Sequence, residues 1–335
     1  MNKVLVIYTG GTIGMIKTEK GYAPAYNLLD DMLNKIPELH DEKMPSWDFY
    51  QLNEVKDSSN LEVSDWNTIA NIIQDNYLNY DGFVVLHGTD TMSYTASALS
   101  FMFENLSKPV VFTGSQIPLN EIRNDAKDNL ITSIIIASEC IANEVCIYFG
   151  GNLIRGNRST KYSSEGLIAF VSPNYPLLGE AAINIHYYSN KTQHSKNAEP
   201  LKVQYFDKIP IAVIKVYPGI DFRYYHEILN KNYKGVIIET FGAGNIPGGS
   251  SNILSSIDSE ENETIYVICS QCPAGSVVIG QYEASAVLNS IGSVSGKDMT
   301  TEAAMAKLYY LLSKGSSQKE VIQSMSKNLR GELTE

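Results

Sequence analysis

Two short segments place threonine hydroxyls directly after apolar runs, where they could take part in chemistry. The first is residues 9–14, TGGTIG, after the run at residues 4–8. The second is residues 87–91, HGTDT, after the run at residues 83–86. A threonine hydroxyl is a weak nucleophile until a neighbouring group takes its proton. Together, the two segments could supply a nucleophile and the polar groups that activate it.

The glycine spacing of the first segment argues against a phosphate site. A dinucleotide loop needs G-x-G-x-x-G and a P-loop needs G-x-x-x-x-G-K-[ST]. The chain has Gly10, Gly11 and Gly14, which satisfy neither pattern. What remains is a tight turn with the Thr9 and Thr12 hydroxyls on its rim. A plain strand-to-helix turn without a chemical role is the competing interpretation.

The elements that must position these hydroxyls follow an alternating order of strands and helices. β-rich apolar runs are typical of buried parallel strands, and they occur at 4–8, 83–86, 110–113, 145–149, 211–216, 235–240 and 265–269. Helical patterns occupy 64–78, with residues 64–66 as cap and first turn, and 93–106, 125–142, 300–313 and 317–329. This order predicts an α/β fold: a larger N-terminal domain with a mainly parallel twisted sheet and flanking helices, plus a smaller α/β C-terminal domain.

The predicted domain boundaries rest on one polar, poorly periodic stretch. Residues 189–208 are interpreted as a linker between domains at 1–188 and 209–335. In open α/β sheets, ligands bind outside the carboxyl ends of the strands. Thr12, Thr89 and Asp90 follow such ends and could face one crevice. Helix capping is the competing role for Asp90 and for Thr91.

Composition and charge exclude several classes of partner. The chain has 335 residues and a formal net charge of −11, so we expect no nucleic-acid partner, which would call for a basic surface. No apolar run is long enough to span a bilayer or form a signal peptide, and we expect no membrane partner. Four cysteines in a chain of this length favour a reduced, cytoplasmic protein.

A metal or redox centre is not expected, although the chain contains one C-x-x-C. Cys269 and Cys272 form that motif, but a zinc site would need a second such pair. Cys140 and Cys146 have the wrong spacing, and the five histidines are scattered. The simpler interpretation is small buried residues after a strand.

Long motifs in the chain resemble those of the bacterial-type L-asparaginases, and in particular their cytosolic type I branch. The two segments above resemble the two signature motifs of that family. Nearly the whole chain takes part in the similarity, through the segments EVKDSSNL at 54–61, VVFTGSQIPL at 110–119, RGNRSTK at 155–161, YPGI at 217–220 and MSKNLRGEL near the end.

The resemblance implies hydrolysis of L-asparagine to L-aspartate and ammonia, with possible minor activity on glutamine and with neither metal nor cofactor. By position, Thr12 matches the primary nucleophile of the family and Tyr22 the tyrosine of its mobile loop. Thr89, Asp90 and Lys161 match the second threonine, its carboxylate and its lysine.

The resemblance also assigns the two ionic ends of a free amino acid. Ser58 matches the residue that holds the substrate α-carboxylate, with Asp57 and Ser59 beside it. Thr89 and Asp90 match the groups at the α-ammonium. A closed site would leave an unpaired ionic group at high cost, so asparagine within peptides should be rejected.

Elementary electrostatics leaves the role of Lys161 open at this point. A lysine acts as a base only when its neutral form is favoured. Arg155 and Arg158, if close, would favour the neutral form, whereas Asp90 would favour the charged one. Backbone N–H groups in the glycine turns are natural donors to a tetrahedral oxyanion.

Further implications of the resemblance concern assembly and regulation. The family forms homodimers or homotetramers, and Asn245 is expected to reach the site of a neighbouring subunit. An allosteric asparagine pocket of some cytosolic members corresponds to Thr160, Glu239 and Cys272. The family has an arginine at the position of Glu239, so we expect weak cooperativity or none.

Other functional interpretations stay open from the sequence. One is a non-catalytic amino-acid sensor that kept the pocket. Another is the asparaginase-like subunit of a tRNA-dependent amidotransferase, although the acidic charge fits RNA poorly. A nucleotide-binding α/β protein is the third, weakened by the glycine spacing.

Overall fold

The computed structural model describes residues 2–19, 21–24, 28–188, 199–230, 233–247, 253, 256–257 and 262–335. The chain divides into two compact units, Met1–Val203 and Gln204–Glu335. Half of the predicted linker, residues 189–198, lies outside the described residues. The boundaries of the linker therefore stay a prediction.

In the first unit, helices lie between the strands of the large sheet up to Phe149, as predicted, whereas the strands from Asn152 to Tyr187 follow one another with no α-helix between them. Its strands are β1 Lys3–Gly10, β2 Met15–Thr18, β3 Gly21–Pro24, β4 Ser46–Lys56, β5 Gly82–Leu86, β6 Phe103–Glu104, β7 Val110–Thr113, β8 Val145–Phe149, β9 Asn152–Arg155, β10 Thr160–Lys161, β11 Phe170–Val171, β12 Gly179–Ala181, β13 Ile185–Tyr187 and β14 Lys202–Val203. Its helices are α1 Leu28–Leu33, α2 Val63–Asn76, α3 Met92–Met102 and α4 Ala126–Glu139.

One large sheet organises this unit, in the order β13-β12-β9-β8-β7-β5-β1-β4. Strands β4, β1, β5, β7 and β8 run parallel, and the remaining pairs are antiparallel. Every residue of β5, β7 and β8 is buried, as expected for strands covered by helices on both faces. The mainly parallel sheet with flanking helices is confirmed, and the carboxyl ends of the five neighbouring parallel strands lie at one edge.

Three strands near the predicted turns were not expected. Strand β4 lies at the end of the sheet and mixes exposed with half-buried residues, so it lacks a continuous apolar run. Strands β2 and β3 form a hairpin directly after the first glycine turn. Sequence periodicity misses such strands because their stabilisation comes from pairing rather than from burial.

Several predicted helix boundaries are wrong. Helix α2 begins at Val63 rather than Ser64, with Asp65 accepting a hydrogen bond from the Glu62 backbone N–H at 2.7 Å. Helix α3 ends at Met102, where the chain enters the short strand β6. The pattern at 317–329 continues past the true helix end, Met325, because the following residues bond to buried side chains instead.

The second unit contains a smaller parallel sheet of the order β15-β16-β17-β18. Its strands are β15 Ile211–Lys215, β16 Gly235–Thr240, β17 Ile265–Ser270 and β18 Val294–Ser295. Its helices are α5 His226–Leu229, α6 Glu283–Ser290, α7 Thr301–Ser313 and α8 Gln318–Met325. Among the described residues, no helix has the length and apolar character needed to cross a membrane.

Candidate active site

Three turns meet at the carboxyl ends of β4, β1 and β5. A Cβ placed on Gly11 would overlap the Gly88 backbone. A Cβ placed on Gly88 would lie 2.5 Å from the Ser58 hydroxyl oxygen. Glycine is therefore required at both positions. Because neither residue has a side chain, the backbone of the first turn can lie against that of the second.

The first turn carries Thr12 at the start of a short 3-10 helix, Thr12–Gly14. Gly10 and Gly11 have φ values of 126° and 91°, a region that favours glycine. Thr12 is half-buried. The Ile13 carbonyl accepts a hydrogen bond from the Leu119 N–H at 3.1 Å, so the loop after β7 supports this turn.

The second turn brings together three of the predicted catalytic side chains. Lys161 Nζ lies 2.8 Å from Thr89 Oγ1 and 2.6 Å from the Asp90 carboxylate. Thr89 is buried, Lys161 is partly buried, and Asp90 is largely exposed. A cation thus lies between a hydroxyl and a carboxylate, an arrangement that can orient a hydroxyl hydrogen or accept a substrate ammonium at Asp90.

Helix capping does not account for Asp90 and Thr91. Helix α3 begins at Met92, but the Thr91 hydroxyl donates to the Ser58 carbonyl at 2.8 Å instead of capping the helix. Asp90 bonds to Lys161. Thr91 therefore ties the second turn to the turn after β4.

The turn after β4 presents the residues predicted to bind the α-carboxylate. Asp57 caps a 3-10 turn, Ser58–Asn60, by accepting hydrogen bonds from the Ser59 N–H at 2.9 Å and hydroxyl at 2.8 Å. Ser58 is almost fully buried against Gly88. Asp57 therefore stabilises the turn that carries Ser58, and its carboxylate is occupied by Ser59.

A buried polar chain lies behind the second turn. The Trp66 indole N–H donates to Thr95 Oγ1 at 3.1 Å, and Thr95 Oγ1 lies 2.9 Å from His87 Nε2. His87 Nδ1 lies 2.7 Å from the Gly88 carbonyl, which can only accept. The Nδ1–H tautomer therefore satisfies every group. Burial lowers the pKa of His87 to about 4, so the ring is neutral near pH 7.

Tyr22 lies on β3 and is 49% exposed. Its hydroxyl donates to Glu121 Oε1 at 3.2 Å, and this hydrogen bond raises the pKa of Tyr22. Glu121 belongs to the segment at residues 114–125, which we name the β7–α4 loop. The loop thus contacts both the Tyr22 hairpin and the Thr12 turn.

Gln116, also on the β7–α4 loop, was missed by the sequence interpretation. Thr89 Oγ1 donates to Gln116 Oε1 at 3.2 Å. The rule that selected Thr12 and Thr89, a polar side chain after a buried parallel strand, applies equally to the residues after β7.

In the structure, two of the three cations in the repulsion considered between Lys161 and the arginines are paired with carboxylates. Arg155 Nε donates to Glu144 Oε2 at 2.6 Å, and both side chains are buried. The Arg155 and Arg158 guanidinium carbons lie 4.3 and 5.2 Å from the Tyr175 ring centre. Glu144 therefore neutralises Arg155, and the Lys161 ammonium is paired with Asp90.

The residues predicted for assembly and regulation are divided between the units. Thr160 starts β10 in the first unit, whereas Asn245, Glu239 and Cys272 belong to the second. Glu239 Oε1 accepts a hydrogen bond from Thr301 Oγ1 at 2.6 Å. The side-chain oxygen of Asn245 is buried with no hydrogen-bond partner in the described part of the chain.

The C-x-x-C motif does not form a disulfide, since Cys269 and Cys272 are both free. Cys269 is buried, which raises its pKa to about 12, and Cys272 is exposed. Across the described ranges, no group of three or more His, Cys, Asp or Glu side chains is arranged to hold a metal ion.

Two family models match the chain. "Asparaginase, N-terminal" matches residues 3–193, and "Glutaminase/Asparaginase C-terminal domain" matches residues 210–325. The first match contains the three meeting turns and Lys161.

Several individual L-asparaginases are similar to this chain over almost its full length and theirs. L-asparaginase 1 of Escherichia coli K12 is 42% identical over 99% of this chain and 98% of its own. The crystal structure of L-asparaginase I from Vibrio cholerae is 43% identical, with a TM-score of 0.90 and coverage of 100% and 99%. The thermostable L-asparaginase from Thermococcus kodakarensis is 32% identical, with a TM-score of 0.88 and 99% of each chain covered.

Proposed function

The chain belongs to the asparaginase family, and we propose that it hydrolyses L-asparagine to L-aspartate and ammonia where the three turns of its first unit meet. The observation that carries this proposal is the contact of Lys161 with both Thr89 and Asp90, beside the turn of Thr12. The site thus offers a nucleophile, a second hydroxyl with a cationic partner, and a carboxylate. These groups suit a free amino acid whose side chain is an amide and whose α-ammonium can pair with the carboxylate.

Substrate recognition is proposed to begin with the two ionic ends. Asp90 is exposed enough to receive the α-ammonium, and the capped turn of Ser58 offers its hydroxyl and N–H groups to the α-carboxylate. Asn245 of a neighbouring copy is proposed to complete this end. Because both ends must be free, we expect asparagine within a peptide to be rejected.

Catalysis is proposed to follow two steps. Thr12 Oγ1 attacks the amide carbon and transfers its proton, by way of Tyr22, toward the leaving nitrogen. Ammonia departs as the C–N bond breaks, and an acyl-threonine ester remains. Water then attacks the ester carbon, and its proton passes through the Thr89 hydroxyl, which the Lys161 ammonium orients, to the departing Thr12 oxygen. This step releases L-aspartate and restores the Thr12 hydroxyl. Backbone N–H groups of the glycine turns stabilise the oxyanion in both steps.

Ammonia release from L-asparagine and from L-glutamine tests the proposal. We expect wild-type turnover of asparagine with at most minor activity on glutamine, and a loss of roughly 100-fold or more in Thr12→Ala and Thr89→Val. Thr68, exposed on α2, gives matched controls as Thr68→Ala and Thr68→Val. No wild-type turnover of either amide would contradict the function, and an unchanged rate in Thr12→Ala would contradict the nucleophile.

We also propose a cytoplasmic homo-oligomer, a dimer or a tetramer. The unpartnered side-chain oxygen of Asn245 supports a contact with another copy. Light scattering after size-exclusion chromatography measures the mass of the particle. A monomer with full activity would contradict the neighbouring-subunit role of Asn245.

A further inference from the structure

We propose that Gln116 is a positioning residue for the second hydroxyl: its amide bridges Thr89 to the loop that follows Lys161. This inference rests on the proposed function, since it concerns the same reaction. It adds a residue of the β7–α4 loop to a site built from the turns after β4, β1 and β5.

The orientation of the Gln116 amide follows from its partners. Nε2 lies 3.2 Å from the Gly166 carbonyl and 3.5 Å from the Ser163 carbonyl. Both carbonyls can only accept hydrogen bonds, so the NH₂ group must face them. The amide oxygen therefore faces Thr89, whose hydroxyl lies 3.2 Å away.

This orientation fixes the direction of the Thr89 hydrogen. A hydroxyl has one hydrogen and two lone pairs. The Gln116 oxygen can only accept, so it takes that hydrogen, while the Lys161 ammonium donates to a Thr89 lone pair at 2.8 Å. In the free enzyme the Thr89 hydrogen is thus on the side of Gln116, and a proton moves between Thr89 and Lys161 only after this hydrogen bond changes.

The backbone of Gln116 is held as firmly as its side chain. The Asp125 carboxylate accepts hydrogen bonds from the N–H groups of Gln116 and Ile117, each at 3.0 Å. Asn129 Nδ2 donates to the Gly114 carbonyl at 3.0 Å. These contacts fix the start of the β7–α4 loop, so the amide is pre-organised before substrate binds.

The segment on the other side of the amide is the loop at residues 162–169, between β10 and β11. It follows Lys161 directly, and the Gly166 N–H donates to the Ser163 hydroxyl at 2.8 Å. By binding two carbonyls of this loop and the Thr89 hydroxyl, Gln116 fixes both ends of the Lys161–Thr89 contact.

Steady-state kinetics of Gln116→Met test the proposal, because methionine has a similar length but neither donates nor accepts here. We expect kcat on L-asparagine to fall about tenfold or more with KM within about threefold of wild type, since the amide orients catalytic groups without binding substrate. Gln318→Met, at an exposed position of α8, is the matched control. A kcat of at least half the wild-type value, or a loss confined to KM, would overturn the proposal.

Gln116→Glu adds a second readout, the pH dependence of kcat, which a purely structural role of Gln116 would not change. Its carboxylate accepts from Thr89 but has no hydrogen for the Ser163 and Gly166 carbonyls, whereas its protonated form does. The charged groups around it are Lys161 and Asp90 across Thr89, and Asp125 behind its backbone.

We expect the ratio of variant to wild-type kcat to rise as pH falls from about 8 to about 5, where a glutamate begins to protonate. A ratio that is constant across this range would overturn the proposal. Thermal unfolding of each variant shows whether it folds. Wild-type turnover separates the proposed function from the role of Gln116. An inactive wild type contradicts the proposed function, and an active wild type with unaffected variants contradicts only the role of Gln116.

Discussion

The backbone of Gly11 lies directly against that of Gly88, so that two turns from distant parts of the sequence share one contact. A Cβ on Gly11 would overlap the Cα and N atoms of Gly88 and lie 2.9 Å from the carbonyl carbon of His87. Gly11 also has a φ of 91°. Neither backbone can retreat without moving the threonine that it carries, Thr12 or Thr89.

Gly11→Ala is therefore expected to separate the two threonines. A misplacement of about 1 Å typically costs on the order of 100-fold in rate, so we expect kcat/KM to fall by at least that factor. Gly219→Ala is the matched control, because Gly219 in the second unit has a φ of 87° but open space around a new Cβ. Comparable losses in the two variants would show that backbone strain, and not the contact with Gly88, is responsible.

Lys161→Met is expected to lower kcat by roughly 100-fold or more, the usual range for a group that assists proton transfer. Thr89 and Asp90 would then lose their common partner. The measurement is ammonia release beside Lys202→Met, which removes a largely exposed lysine paired with Glu104. A rate within about tenfold of wild type would exclude Lys161 from proton transfer, because a loss that small does not require a role in catalysis.

The buried ring of His87 predicts acid sensitivity of the fold. Its pKa is about 4 in the native protein and about 6.5 in the unfolded chain, so the unfolded state binds more protons between these values. Stability is complete above about pH 6.5 and falls by about 3 kcal/mol as pH drops toward 4.

Urea unfolding as a function of pH measures this loss. His87→Asn keeps a donor near the Gly88 carbonyl but removes the titration, so we expect a smaller acid-dependent loss. His186→Asn, at an exposed position of β13, should retain the wild-type slope. An unchanged slope in His87→Asn would assign the acid sensitivity to other groups.

A fully buried ion pair lies near the end of the second unit. Lys307 and Glu332 are both inaccessible to solvent and are joined at 2.5 Å. Lys307 Nζ also donates to the Met325 carbonyl at 3.1 Å, and Glu332 accepts from the N–H groups of Leu329 and Arg330. Burial lowers the pKa of Lys307.

Removing one partner leaves an uncompensated buried charge, so Lys307→Met should reduce the free energy of unfolding by about 3–5 kcal/mol. The double variant Lys307→Met/Glu332→Gln should lose less than the sum of its single changes. Chemical denaturation measures both, and Lys234→Met, in the exposed pair with Glu263, should cost less than about 1 kcal/mol. Additive losses would contradict the coupling.

The acidic residue at position 239 predicts a hyperbolic dependence of rate on asparagine concentration. Glu239 is engaged with Thr301 and would repel the carboxylate of a second asparagine. The test is the initial rate over a wide range of substrate. A clearly sigmoidal wild-type curve would contradict the prediction, and an unchanged hyperbolic curve in Glu239→Gln would show that the charge of Glu239 is not its cause.

The sequence determined the class of fold and predicted the residues of the candidate active site. Apolar runs with helical patterns between them predicted the parallel sheet, since burial on both faces leaves a signal in each strand. Glycine turns after two such runs pointed to Thr12, Thr89 and Asp90. Local patterns suffice there because each residue is positioned by its own strand end.

Only the tertiary structure decided which distant groups meet. Strand β4, the Tyr22–Glu121 pair and the Gln116 bridge depend on contacts between segments far apart in the chain. The ion pair of Arg155 with Glu144 likewise could not be predicted from the sequence. Hydrogen bonds and ion pairs of this kind depend on distances of a few ångströms across the fold, and no periodicity along the chain encodes them.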